Sequence, residues 1–322
     1  MTSENRYVSA FAPLWNDLRD EDSFPAKRPL LAHYTSIGTL EQIMRNDEVW
    51  FSNPLFMNDH EELRFGVNEG AAALLVHSGL KQACGSDERH QMLVGHFTDF
   101  YRELSDTHAF DIYVLCFSEH EKDDNDGRLS MWRGYGGNGG GAAVVFDSAA
   151  FKFQNGSPLI VANVTYLSTA DRRNWIQAKL DMFADLLAKH QVPTKDLHIA
   201  AKALLERFTI FALFTKHKGF EEEREWRVVY RLVRDSAHLL DGMLGYFVGP
   251  RGLEPKLKFK VRPIEGLTNE DMSLSTLVER IILGPTVSNP LSLAATQRML
   301  HHCGKTDLVP KLITSTTPYR LT

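Results

Sequence analysis

Three short segments of the sequence hold side chains that could do chemistry. One is Glu221-Glu222-Glu223-Arg224-Glu225-Trp226-Arg227-Val228-Val229-Tyr230, four acids in five residues running into a strand-like stretch. Alternate side chains of a strand point to opposite faces. An extended run would therefore put Glu223, Glu225 and Arg227 on one face and Trp226 and Val228 on the other. Such a set can steady a developing positive charge, or form nothing more than a solvated ion pair. The second segment is His33-Tyr34-Thr35, with the imidazole and the threonine hydroxyl on one face. The third is Cys116-Phe117-Ser118-Glu119, followed by Met131-Trp132-Arg133 and Tyr135. Each has a plain structural explanation taken alone: a hydrogen-bonded histidine, a strand-end serine, a surface acid pair. Together they supply donors, a hydroxyl, aromatic walls and a carboxylate, the ingredients of a polar ligand cleft.

The elements that must position these residues can be read in order. Phe11, Leu14, Trp15 and Leu18 have helical spacing within 7–20, and residues 21–29 read as a linker with two prolines. Leu30 to Thr35 is a short strand, and Ser36 caps a helix with Ile37, Leu40, Ile43 and Met44 as its apolar stripe. Val49 to Ser52 is a second strand, stopped by Asn53-Pro54. Helical patterns follow from Asn58 to about Leu80, with Leu63, Val67 and Leu74 on the apolar side, and from Asp87 to Leu104. Asp111 to Ser118 is an apolar run too short for a helix and reads as a central strand. A helical turn at 130–135 and a glycine run at 136–141 lead into a strand at 142–146. A strand at 159–167, helices at 170–190 and 195–217, the acidic strand 223–231, and strands near 243–248, 256–261 and 278–283 come next. A helix at 289–302 and a short strand near Leu312 finish the chain.

Strands and helices mix without regular βαβ alternation, which predicts an α+β fold. The expected architecture is a mixed, mainly antiparallel central sheet with flanking helices. Residues 1–29 read as an N-terminal helix and linker, 30–285 as the main domain with a helical insertion at about 170–217, and 286–322 as a helix and tail packed on it.

Composition narrows the function classes. The 322 residues are 43% hydrophobic and 24% charged, with a net charge of −5, an ordinary globular balance without the basic footprint of a general nucleic-acid binder. Cys84, Cys116 and Cys303 are odd in number, widely spaced and free of any CxxC, so neither a disulfide framework nor a zinc knuckle is expected. The first residues lack a signal-peptide pattern, and no apolar run approaches the roughly 20 residues of a membrane span. The expected location is the cytoplasm.

Several motif matches fail on mechanism. Gly134-Tyr-Gly136-Gly-Asn-Gly139 fits GxGxxG, but a helical turn precedes it and a strand follows, the reverse of a dinucleotide-binding turn. Asp124, Asp126 and Gly127 imitate a calcium loop whose first and last ligand positions would be Lys122 and Arg133, and cations do not ligate a cation. His301 and His302 are adjacent on a helix and diverge by about 100 degrees, so they do not share a metal.

Four ordered motifs carry a resemblance. They are His-Tyr-Thr-Ser…Leu-Glu-Gln-Ile at 33–43, Trp-Phe-Ser-Asn-Pro…Asn-Asp-His-Glu-Glu at 50–62, Cys-Phe-Ser-Glu…Met-Trp…Tyr-Gly…Val-Phe-Asp at 116–147, and Lys216…Phe220-x-x-Glu223-x-Glu225-x-Arg227. Over about residues 30–285 the chain resembles the bacterial family known as domain of unknown function 2971. It is more distantly similar to the ADP-ribosyltransferase superfamily, through the strand-borne His-x-Thr, the helix after it, the mid-chain strand ending in Ser, and the late Glu-x-Glu. That similarity implies NAD as substrate. His33 and Thr35 would bind it, Tyr34 or Tyr135 would stack on nicotinamide, and Ser118, Trp132 and Arg227 would complete the cleft. Glu225 would be catalytic, supported by Glu223, stabilising the positive charge that forms at the ribose as nicotinamide leaves.

The resemblance therefore implies an ADP-ribosyltransferase or NAD glycohydrolase, in the setting of a bacterial toxin or phage-defence effector. A protein or nucleic acid would be the acceptor, with neither metal nor membrane involved. The reading predicts that His33, Ser118 and Glu225 line one cleft, and it falls if they lie on opposite sides of the molecule. Two alternatives stay open. A non-catalytic sensor module of a stress or defence system would pair its acids with Arg227 and Arg133. A metal-dependent nuclease or hydrolase would gather Asp59, Glu62, Glu223 and Glu225.

Overall fold

Twelve strands can be traced along the chain in a computed structural model that describes residues 9–18, 24–57, 60–154, 156–249 and 252–319, with only the backbone of 60–65. They are β1 (Leu30–Thr35), β2 (Glu48–Ser52), β3 (Ile112–His120), β4 (Ala142–Asp147), β5 (Leu159–Asn163) and β6 (Thr165–Leu167), then β7 (Thr215–His217), β8 (Glu225–Arg231), β9 (Leu244–Gly249), β10 (Gly252–Lys260), β11 (Val278–Leu283) and β12 (Leu312–Thr314). Helices and a mixed, mostly antiparallel sheet make this an α+β fold. The chain divides into two units, one from Met1–Ser23, Pro54–Asp111 and Val164–Glu221, the other from Phe24–Asn53, Ile112–Asn163 and Glu222–Thr322.

The first unit is helical. Its centre is the helix Leu197–Leu213, which is buried on every side from Arg207 to Leu213. A helix apolar all round has to be surrounded, and the helices His60–Val76, Asp87–Asp106 and Thr169–His190 do this. Gly70 allows the closest approach: a Cβ there would stand 2.5 Å from the Phe208 ring. The helices expected as an insertion at 170–217 are thus one part of a larger helical unit. The first segment, expected as a short helix, is the 3-10 helix Ala12–Leu18. Lys179 and Arg207, both buried, hold it by donating to the Leu14 carbonyl and by pairing with Asp17. The run 159–167, expected as one strand, is two, and β6 pairs in parallel with β7 in this unit.

The second unit is built on the sheet β12-β11-β4-β1-β3-β2-β10-β9, with β8 on β3 and β5 on β8. One face buries a large apolar core that includes Leu31, Phe51, Phe117, Phe146, Trp226 and Tyr230. The other face buries Ala32, Tyr34, Met131, Trp132, Ala143 and Val145 over β1 and β4. β3 is the hub. One of its edges pairs with β8 from Ile112↔Arg231 to Ser118↔Glu225. Its other edge is shared. β1 pairs there through Leu30↔His120 to Ala32↔Ser118, and β2 meets it at Ser52↔Val114. β1 then follows β4, while β2 follows β10.

The acidic stretch departs from expectation. Residues Lys218–Glu223 form a 3-10 turn, and β8 begins only at Glu225. Arg224 stands between them with φ 44, left-handed backbone that cannot continue a strand. Glu223 therefore does not share a strand face with Glu225 and Arg227.

Tight backbone packing of the glycine run gives a direct test. A Cβ at Gly141 would lie 2.1 Å from the Thr35 carbonyl oxygen and 2.8 Å from that of Gly136. Gly141→Ala should lose about 2–4 kcal/mol in urea denaturation, since backbone rather than a movable side chain must yield. Gly134→Ala, where the space is open, should stay within about 1 kcal/mol of the parent.

Candidate functional site

Where β1 leaves β3 and β2 has not yet joined it, the sheet opens. A cleft of about 410 Å³ occupies the opening. His33 lines it from β1, Ser36, Thr39 and Gln42 from the helix Ile37–Asn46 and its cap, and Glu48, Trp50 and Ser52 from β2. Lys256 on β10 and Phe247 on β9 complete the far wall. The helix starts at this point because Ser36 caps it, accepting from the Thr39 backbone N–H.

His33 sits where the strands part. Its Nδ1 is 3.0 Å from the Cys116 carbonyl oxygen. A carbonyl can only accept, so Nδ1 carries the proton and Nε2 keeps a free lone pair. Burial holds the ring below its ordinary pKa of 6.5, against the raising effect of the Cys116 bond, so the imidazole is neutral near pH 7. His33 is thereby a fixed acceptor. Ser52 is the complementary donor. Lys256 Nζ donates to its Oγ at 2.9 Å, which leaves the hydroxyl hydrogen for another partner. Lys256 also pairs with Glu254 at 3.0 Å. Trp50 donates from Nε1 to Glu48 at 2.9 Å, and Glu48 pairs with Lys260 at 2.6 Å. Burial pushes the Glu48 carboxyl up, but Lys260 and Trp50 outweigh it and keep it below the usual carboxylate range.

The late acids form a separate cluster. Arg227 grips Glu225 with two parallel bonds, Nε to Oε1 at 2.7 Å and Nη2 to Oε2 at 3.1 Å, and both residues are only 5% exposed. Ser118 donates to the Glu223 carbonyl at 2.7 Å, and the exposed Tyr135 donates to the Glu223 carboxylate at 3.1 Å. Behind them Glu119 receives Trp226 Nε1 at 2.9 Å and pairs with Lys27 and Arg224. Burial alone would raise the Glu119 carboxyl, but these three partners hold it below its usual range.

The structure thus joins Ser118, Tyr135, Glu223, Glu225 and Arg227 in one cluster, and it puts His33 in a cleft whose lining includes neither Ser118 nor Glu225. The expectation that these three line one cavity is not met. By register Ser118 stands opposite Ala32, the residue before His33, and opposite Glu225 on its other edge, while alternation turns His33 to the face of Phe117. Ser52, Lys256, Ser118, Glu225 and Arg227 share one sheet face by register, and Glu225 stands one strand beyond β3 from the split edge. Tyr34 and Trp132, expected as cleft walls, are interior instead. Their rings meet edge to face at 4.8 Å, and the Tyr34 hydroxyl accepts from the Arg128 N–H. Burial pushes that hydroxyl up to about 12. Thr35 is buried opposite Ala142 and does not line the cleft. Arg133 lies over the Tyr319 ring, not against the acids. Asp59 and the side chain of Glu62 lie outside the described residues. Among the described residues no three His, Cys, Asp or Glu side chains gather to hold a metal ion, and no helix is long and apolar enough to cross a membrane.

Sequence reasoning missed Glu48, Trp50, Ser52 and Lys256 as site residues. The signal was alternation: Glu48-x-Trp50-x-Ser52 puts polar and aromatic groups on one face of β2, and Lys256-x-Lys258-x-Lys260 faces it from β10. Comparison with known proteins bears on the chain from Met131 to Val228. The family described as protein of unknown function (DUF2971) matches residues 131–228, which supports the resemblance over that stretch. No curated protein and no solved structure matches the chain.

Two outcomes are expected. Glu225→Gln breaks a buried bidentate ion pair and should destabilise by about 3–5 kcal/mol, whereas Glu225→Leu with Arg227→Met should recover most of that in urea denaturation. As pH falls through 6.5, the unfolded chain takes up a proton at residue 33 that the folded chain resists, so stability drops toward acid pH. His33→Gln should flatten the stability–pH slope below pH 6.5 by up to about 1.4 kcal/mol per unit.

Proposed function

We propose that the protein binds NAD in the cleft between β1 and β2 and breaks its nicotinamide–ribose bond, as an ADP-ribosyltransferase or NAD glycohydrolase acting in the cytoplasm. One observation carries this reading: a neutral histidine, fixed as an acceptor, stands at the apex of a split sheet, opposite an oriented serine hydroxyl and an indole. Ribose hydroxyls need an acceptor and a donor, and a nicotinamide or adenine ring needs a flat apolar wall. Trp50 offers its ring, flanked by Phe247 at 5.7 Å and by the Lys258 ammonium 4.7 Å from its centroid.

In this reading the C–N glycosidic bond breaks and its electron pair leaves with nicotinamide. A water or an acceptor hydroxyl forms the new C–O bond and gives up its proton. The positive charge passing through the ribose carbon is met by a carboxylate held ionised and immobile. Glu225 has that character, because Arg227 fixes both of its oxygens. The sheet face shared by Ser52, Ser118 and Glu225 supports a ligand lying from the split across β3. A protein or nucleic acid would be the acceptor of a transferase, in a toxin or phage-defence setting.

A second reading has an observation of its own. The bidentate Glu225–Arg227 pair is what a non-catalytic sensor module would use to neutralise a buried acid. Incubation with NAD separates the two. The enzyme reading expects nicotinamide to appear over hours by chromatography, and His33→Ala and Glu225→Gln to reduce the rate by at least about 100-fold. NAD that gives no nicotinamide and leaves the melting temperature unchanged contradicts the enzyme reading and favours the sensor.

A further inference from the structure

We propose that β9 is a self-association edge, pairing antiparallel with β9 of a second copy of this chain about a twofold axis through Tyr246. Among the described residues β9 is the last strand of its sheet, paired with β10. In an antiparallel ladder only every second residue bonds to the partner strand, so the rest of its N–H and C=O groups are turned outward. Those groups fix the chemistry of what covers them: an extended strand.

Side chains point the same way. Tyr246 is 63% exposed, Val248 77% and the cross-strand Leu253 59%. With Pro255 opposite Tyr246 they extend an apolar sheet face beyond the core. Edge strands are normally protected by charge, proline or a bulge. Leu244-Gly245-Tyr246-Phe247-Val248-Gly249 has no charge and no proline, and its register with β10 runs unbroken. At the opposite end of the sheet β12 has only three residues, and the chain beyond it is tied to Asp126 through Ser315 and Thr316.

The occupant follows from the strand's own complementarity. A twofold through Tyr246 pairs Leu244 with Val248 of the second copy, Gly245 with Phe247, and Tyr246 with itself. Paired residues share a face, so apolar meets apolar on each rung and no like charges are opposed. Gly245 leaves room for the facing phenylalanine. A twofold through Phe247 would instead stack two phenylalanines and pair Gly245 with Gly249, which packs less. The same patch serves both copies, as a closed dimer requires. The strand is short beside a standard interface, so association on the order of 100 µM is expected.

Sedimentation velocity from about 5 to 500 µM and a cysteine test decide the matter. The expected result is a mass that rises with concentration toward twice the monomer, with Val248→Lys weakening the association at least tenfold. Position 246 of each copy lies directly opposite itself, within the span a disulfide can bridge. Tyr246→Cys should therefore give a disulfide-linked dimer on mild oxidation. Val248→Cys should not, because its mate lies four residues along the strand, about 13 Å away. A monomer throughout the range, a dimer indifferent to Val248→Lys, or cross-linking through 248 and not 246 overturns the proposal.

Discussion

One edge of β3 is asked to serve two strands. Ala32 pairs with Ser118 and Ser52 pairs with Val114, only four residues apart on the same side of one strand. A strand edge offers a single ladder, so β1 and β2 cannot both continue along it. They part, each following its own outer neighbour, and a space opens at the parting. His33 is the first residue of β1 past its last rung with β3, and its ring takes the Cys116 carbonyl. The tautomer and the direction of its free lone pair follow from that bond, and burial, acting against it, keeps the ring neutral. Without the competition for β3 there would be a continuous sheet, with His33 in an ordinary ladder and no cleft beside it.

The two faces of this sheet carry different kinds of stability. One is an apolar core that sets Phe117, Trp226 and Tyr230 against Phe51, Phe146 and Phe259. On the other, at β8, charge is buried in matched sets. Glu225 and Arg227 satisfy each other there, while on the core face Glu119 of β3, opposite Leu31, gathers the Trp226 indole, Lys27 and Arg224. Arg224 adopts φ 44 and reaches Glu119 and Glu121 from there. Pairs of this kind contribute little net stability compared with apolar residues, but they tolerate no loss of one partner. They fix where the strand begins and which carboxylate faces the sheet.

Much of this was legible in the residues. The α+β class, the strands around His33, Ser52, Ser118 and Glu225, and the cap at Ser36 all follow from alternation, short apolar runs and capping chemistry. The turn at 218–224 did not show, because nothing in Glu223-Arg224-Glu225 announces a left-handed arginine, and its partners Glu119 and Glu121 lie about a hundred residues earlier. Tyr34 and Trp132 looked like cleft walls, since an aromatic beside polar residues reads the same whether it lines a pocket or fills a core. Only the register with β4 places Tyr34 on the packed face. The cleft itself was hidden, because it depends on two strands sharing an edge of a third, and no local pattern records a split sheet. Its far wall comes from β9 and β10, some 200 residues from His33 in sequence.

The most direct test of this account is a structure of the protein with NAD bound. The split-sheet reading predicts the dinucleotide between β1 and β2, with a ribose hydroxyl about 2.7–3.0 Å from His33 Nε2 and one ring against Trp50. NAD bound elsewhere on the chain, or seated in the cleft with His33 Nε2 unengaged, would contradict it.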